Sequence, residues 1–253
     1  MFTIKNLKEN TNIIMKETAG PFTVCEHIQD CSIDPANAAA QYYSSKMNIR
    51  QRQLLCQVTA QEGIVLQAGA MQWMAGDVAA TTGIKGVGDF FGKMIGGSVS
   101  GEAGIKPEYA GNGVIMSEPT YKHLLTIDVS KWGSGIVVED GMFLACTATL
   151  KRSIVSRKSL SGAVAGNEGL FNLCLSGTGY AVLESVCPAE ELIEIELDRD
   201  VLKIDGSLAV AWSADLEFTV EKAGRSLIGS AASGEGLVNV YKGTGKVLLA
   251  PVA

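Results

Sequence analysis

The chain has 253 residues, 47% of them hydrophobic and 19% charged, so it can bury a core and is not a disordered polymer. Its 21 basic and 27 acidic residues leave a net charge of −6, which argues against a broad phosphate-binding surface. No apolar run reaches the roughly 20 residues of a membrane-spanning helix, and Met1 to Asn6 lack the basic-then-apolar order of a secretion signal.

In chain order, Phe2 to Leu7, Asn12 to Lys16 and Phe22 to Glu26 read as short strands, the last two split by Ala19-Gly20-Pro21. Asp34-Pro35 then opens a helix, because Asp can cap and proline suits the first helical position. Ala36 to Met47 continues it, with Tyr42 and Tyr43 available to dock on a core. This lead-in, residues 1–52, carries no repeat and is read as an appendage to a body spanning 53–253.

The body is organised by three markers. Turn glycines stand at Gly69, Gly141 and Gly206, 72 and 65 positions apart. An acidic-glycine-apolar step occurs at Glu102 to Ile105, Glu168 to Leu170 and Glu235 to Leu237, and Gly-x-Gly pairs at Gly111/Gly113, Gly177/Gly179 and Gly243/Gly245 are 66 positions apart. Three markers on one period indicate three repeated units. Short apolar runs between turn signals make those units antiparallel β-sandwich modules, with no alternation of strand and helix. The order of the markers predicts that Gly243 to Val252 completes the unit begun by Gln57 to Met74, closing the chain on itself. The first unit's extra length falls in the Gly-rich segment 81–100, where Phe90, Phe91, Met94 and Ile95 fit one helical face. An insertion on a repeat scaffold is a candidate partner-contact segment.

Chemical motifs are sparse. Gly86 to Gly92 fails as a dinucleotide loop because its third glycine falls one residue late and no apolar strand precedes it. It fails as a phosphate loop because Val87 replaces the leading glycine and Met94 the Ser/Thr; Gly96-Gly97-Ser98-Val99-Ser100 lacks the closing glycine of a nucleophile elbow. The two histidines, His27 and His123, exclude a histidine-rich metal centre. Cys25, His27 and Cys31 lie close together, but their spacing matches no zinc motif. Glu118, His123 and Asp128 form the densest run of reactive side chains and are the candidate ligand or metal site. Lys151, Arg152, Arg157 and Lys158 are a local basic patch. Glu102, Glu168 and Glu235 either cap their own turns or line an axis able to hold a cation. No cofactor is expected. Of the six cysteines, Cys146 and Cys174 lie in apolar runs, as reduced thiols do in a cytoplasmic protein.

The stretches Lys46 to Arg50, Gln67 to Met74, Ile105 to Tyr109, Glu118 to His123, Glu139 to Ala145, Gly169 to Leu173 and Ser230 to Tyr241 together resemble the family of altered-inheritance-of-mitochondria protein 24, also catalogued as domain-of-unknown-function family 124. The N-terminal lead-in is similar to that of bacterial members. The resemblance implies a fold like the tryptophan RNA-binding attenuation protein: β-sandwich modules in a pseudo-threefold arrangement, often assembled as trimers. It implies no enzyme activity and no catalytic residue, and for the mitochondrial relative a part in inner-membrane organisation. The reading is thus a non-catalytic scaffold or interaction protein, homo-oligomeric with a trimer favoured. The alternatives are a small-molecule or metal binder or enzyme near Glu118 and His123, and an RNA-binding module on the basic patch.

Overall fold

Phe22, Val24 and Glu26 fall on one face of a strand, as do Arg52, Leu54, Cys56 and Val58, and all are buried. This period of two is what a strand with one buried face requires. They lie on β2 (Phe22–His27) and β3 (Arg52–Val58), and β1 (Ile13–Ala19) pairs antiparallel with β2 across the turn at Gly20. The computed structural model describes residues 2–32, 34–81, 106–156, 158–159, 171–222 and 237–251. The remaining strands are β4 (Ile64–Leu66), β5 (Met71–Thr81), β6 (Glu108–Ser117), β7 (His123–Asp128), β8 (Ile136–Val138), β9 (Phe143–Thr147) and β10 (Lys151–Ser156). They are followed by β11 (Lys158–Ser159), β12 (Phe171–Ser176), β13 (Tyr180–Ser185), β14 (Ile193–Asp205), β15 (Ala209–Ser213), β16 (Glu217–Lys222) and β17 (Leu237–Leu249).

The chain is mostly β, and among the described residues its pairings are antiparallel except β11 with β16. One sheet runs β1-β2-β3-β6-β4-β9-β13-β7, with β5 on β6; the other runs β10-β12-β8-β15-β17-β16-β11, with β14 on β17. The first sheet is almost a closed barrel. Its end strands β1 and β7 meet at a seam, where the Thr126 hydroxyl donates to the Glu17 carboxylate. Phe22, Leu54, Ile64, Leu66 and Ile115 fill that barrel, and in the second sheet Trp212 stacks on Phe218 with Tyr241 edge-on to the indole, ring centroids 5.0–5.2 Å apart.

The glycine markers have local causes. Gly69, Gly141 and Gly206 adopt φ of +81°, +76° and +74°, a region costly for residues with a Cβ. The second glycine of each Gly-x-Gly pair admits a close neighbour. A Cβ there would lie 2.2 Å from the Ala75 carbonyl oxygen at Gly113, 2.2 Å from Thr147 Oγ1 at Gly179, and 2.7 Å from Ser213 Cβ at Gly245.

Several expectations are corrected. Phe2 to Leu7 is not a strand; it pairs with nothing described and is mostly exposed. The apolar alternation of Glu191 to Leu197 and the run Val201 to Ile204 read in sequence as two separate strands, but Ile193 to Asp205 form one long strand, β14, which bulges at Leu197/Asp200 around Arg199 in a left-handed conformation (φ +54°). The last strand does not join residues 57–74: β17 pairs with β14, β15 and β16. The lead-in is more than an attachment, because β2 pairs with β3 and contributes Phe22 and Val24 to the barrel core. Asp34 caps its helix as expected, accepting from Ala36 N at 2.8 Å, over a 3-10 turn and then α1 (Ala38–Lys46). Yet α1 buries no residue, and Tyr42 and Tyr43 are 58% and 68% exposed instead of docked.

Candidate functional site

The three residues nominated from the sequence do not converge. Glu118 follows β6, held by its backbone N–H on the Ala70 carbonyl at 2.7 Å, and lines a cleft of about 310 Å³ with Gly69, Gly141 and Glu184. His123 begins β7 and lines a different cleft of about 270 Å³, at the barrel seam, with Lys16, Glu26, Arg52 and Glu190. Asp128 ends β7, five residues and thus about 16 Å from His123 along the strand. Its Oδ1 accepts from Ser130 N at 3.1 Å and Ser130 Oγ at 2.6 Å, and its Oδ2 lies 3.7 Å from Lys131 Nζ. The Ser130 hydroxyl holds the Asp128 carboxyl below the usual range. Asp128 is therefore a turn cap. Among the described residues no group of three or more His, Cys, Asp or Glu side chains is placed to hold a metal.

Cys25, His27 and Cys31 are also apart in role. The Cys25 thiol contacts Met15 Sδ at 3.4 Å, His27 Nε2 bonds Gln53 Oε1 at 3.0 Å, and Cys31 is exposed beside Asn12. Burial pushes the Cys25 thiol up to about 11. Arg152 is engaged by Glu108 at 3.2 Å. Arg157 and the side chain of Lys158 lie outside the described residues, as do Phe90, Phe91, Met94 and Ile95 and the marker glutamates Glu102, Glu168 and Glu235.

The seam holds a network that the sequence did not announce. Glu26 and Arg52 are 2% and 3% exposed, and Arg52 Nε donates to Glu26 Oε2 at 2.8 Å, with Nη2 at the same distance. Arg52 also donates to the carbonyls of Arg50 (3.2 Å) and Asn48 (3.1 Å), tying the loop after α1 to the barrel. Arg50 and Lys16 stand 3.6 and 3.8 Å from Glu26 Oε1. His123 faces this network. Burial lowers its pKa, the Arg52 charge lowers it further, and Glu26, Glu190 and Glu191 oppose both. Glu26 was findable in principle, since it shares the inward parity of Phe22 and Val24; its partner, 26 residues later, was not. Because Arg52 occupies it, the Glu26 carboxylate braces the barrel and is not a free base.

Two long strands have a neighbour on one side alone among the described residues. Among the described residues β5 pairs only with β6, and β14 only with β17. A strand edge presents a row of unpaired backbone donors and acceptors to any second chain.

The comparisons fit this architecture. Residues 45–252 match the family model described as Mitochondrial biogenesis AIM24. The chain belongs to that family. A relative, the uncharacterized protein M6_Spy0233 of Streptococcus pyogenes serotype M6, is 25% identical over 194 residues, 74% of this chain and 75% of the relative. The crystal structure of protein SPYM3_0169 from Streptococcus pyogenes superposes with a TM-score of 0.59 at 21% identity, covering 81% of this chain and 89% of that one. That likeness shows the fold. The family match leaves out β1, β2 and the first part of α1. No helix among the described residues is long and apolar enough to cross a membrane.

Proposed function

We propose that this member of the AIM24 family is a non-catalytic scaffold or interaction protein of the cytoplasm, assembled as a homo-oligomer, a trimer by preference. The observation that carries the reading is the pair of strands with one side unpaired among the described residues, β5 with 11 residues and β14 with 13. Strands this long with a free edge are the parts a chain uses to add another chain. The body is read as three tryptophan RNA-binding attenuation protein-like modules in pseudo-threefold arrangement. That reading is supported by the near-equal φ of Gly69, Gly141 and Gly206 and by the matching close approaches at Gly113, Gly179 and Gly245. The repeat-bearing body is read as starting near residue 53, close to where the family match begins at residue 45, with β2 of the lead-in built into its barrel. The segment 81–100, through Phe90, Phe91, Met94 and Ile95, is the proposed contact for an unlike partner. The free state of all six cysteines supports a reducing compartment.

Native mass spectrometry of protein purified from its own host without chelator tests the reading. A multiple of 26.6 kDa with nothing attached is expected; a monomer carrying a tightly held small molecule overturns it. That second result would favour the other reading, a ligand in the His123 cleft, whose support is the convergence there of Lys16, Arg52, Glu26 and His123. An RNA-binding role for Lys151, Arg152, Arg157 and Lys158 is disfavoured by the net charge of −6 and by the Arg152–Glu108 pair.

A further inference from the structure

One pairing recurs inside the chain. β4 pairs with β6 on one side and β9 on the other, and β8 pairs in the same way with β12 and β15. Ile64, Val65 and Leu66 stand opposite Thr147, Cys146 and Ala145; Ile136, Val137 and Val138 stand opposite Ser213, Trp212 and Ala211. The flanking hydrogen bonds match too. Ala148 N donates to Gly63 O and Ala214 N to Gly135 O, both at 2.9 Å, while Gln67 N donates to Leu144 O at 2.7 Å and Glu139 N to Val210 O at 3.1 Å. Both joints are thus built alike.

Residues 201–205 of β14 occupy the next place in this series. They pair with β17 as β4 pairs with β6 and β8 with β12, but their second side has no neighbour among the described residues. Residues 71–76 of β5 occupy the place of β9 and β15. They pair with β6 as those strands pair with β13 and β17, and they too lack a neighbour on the other side. Among the described residues β14 thus holds one unfilled half of the joint and β5 the other.

We propose that a second copy of this chain fills the joint, β14 of one copy taking β5 of the next. The register repeated inside the chain puts Leu202, Lys203 and Ile204 of one copy opposite Ala75, Met74 and Trp73 of the other. The inference rests on the homo-oligomeric, repeated-module reading above and names its interface. Burial supports it. Cys146 and Trp212, at the place corresponding to Met74, are 0% and 2% exposed, whereas Met74 is 44% exposed. Charge is no obstacle, since β5 carries one charged residue, Asp77, so little guards that edge against addition. The aliphatic stem of Lys203 can lie along the Met74 thioether while its ammonium stays in water. Such a contact is head-to-tail, and it closes into a ring if the rotation per copy divides a full turn.

Cross-linking tests the register. Leu202→Cys and Ala75→Cys are made in separate chains, each with Cys31→Ser to remove the exposed thiol, then mixed and oxidised. In this register the two positions form a closely spaced pair, within disulfide reach. A disulfide-linked dimer is expected from the mixture, not from either variant alone, and not when Ala79→Cys replaces Ala75→Cys. No cross-link, with native mass spectrometry still reporting an oligomer, overturns the joint and leaves the oligomer standing. A mass of one chain at every concentration overturns both. A chain carrying both cysteines that closes on itself in dilute solution overturns the second copy as occupant.

Discussion

At the scale of single residues, the Glu26–Arg52 pair decides most. Breaking a buried pair by removing one partner leaves an uncompensated charge and costs about 3–5 kcal/mol. Arg52→Met, which abandons Glu26, is therefore expected to lower the unfolding free energy in urea by that order, while Arg50→Met at the edge of the network costs less. Equal effects would show that Glu26 is not held mainly by Arg52. His123 gives the network a pH signature. Its folded pKa lies below its ordinary value near 6.5, so the unfolded chain takes up the proton first. Stability from this group is complete above that value and is lost as pH falls through it toward the folded pKa. The urea midpoint of the native protein should fall more steeply between pH 7.5 and 5.5 than that of His123→Gln; parallel curves would refute the shift. Cysteine reactivity is a third reading at this scale. Cys31 alone is exposed, and burial pushes Cys25 and Cys146 to about 11. A thiol reagent should label one site rapidly in the folded protein and all six in denaturant, because the thiolate is the reactive form; a second fast site would contradict the burial.

At the scale of elements, the glycines divide into two kinds. Gly141 adopts φ +76° in open space, so Gly141→Ala meets only backbone strain, on the order of 1–2 kcal/mol. Gly113→Ala drives a methyl to 2.2 Å from the Ala75 carbonyl and must separate β5 from β6. Its melting temperature should drop well below that of Gly141→Ala, and the reverse order would refute the close approach. Spacing made both kinds of glycine visible in the sequence, since each answers a local need. What spacing could not show is which strand lies beside which. Gly245 announces a close approach but not that β17 runs between β14 and β15. The Glu26–Arg52 pair stayed hidden for a related reason: parity marks Glu26 as inward-facing but does not show the guanidinium that β3 brings to it. Tyr42 and Tyr43 were misjudged because aromatic character says nothing about whether a surface exists to receive them.

At the scale of the whole molecule, two sheets share a chain in which β5 and β14 each leave an edge uncovered among the described residues. Dilution should shift the protein toward smaller species, and the Met74 environment should become more exposed as it does, measurable by oxidation of its thioether in mass spectrometry. Unchanged Met74 oxidation across the transition would separate association from that edge. The barrel seam also carries a consequence for how the molecule comes into being. The hairpin β1–β2 leaves the ribosome before β7 does, and the threonine that closes its outer edge, Thr126, lies 109 positions after Glu17. Chain separation of that kind slows contact formation, so the nascent hairpin must wait for most of the first barrel to be synthesised. Until then Phe22 and Val24 lack the strands that bury them, and shielding them falls to whatever meets the growing chain.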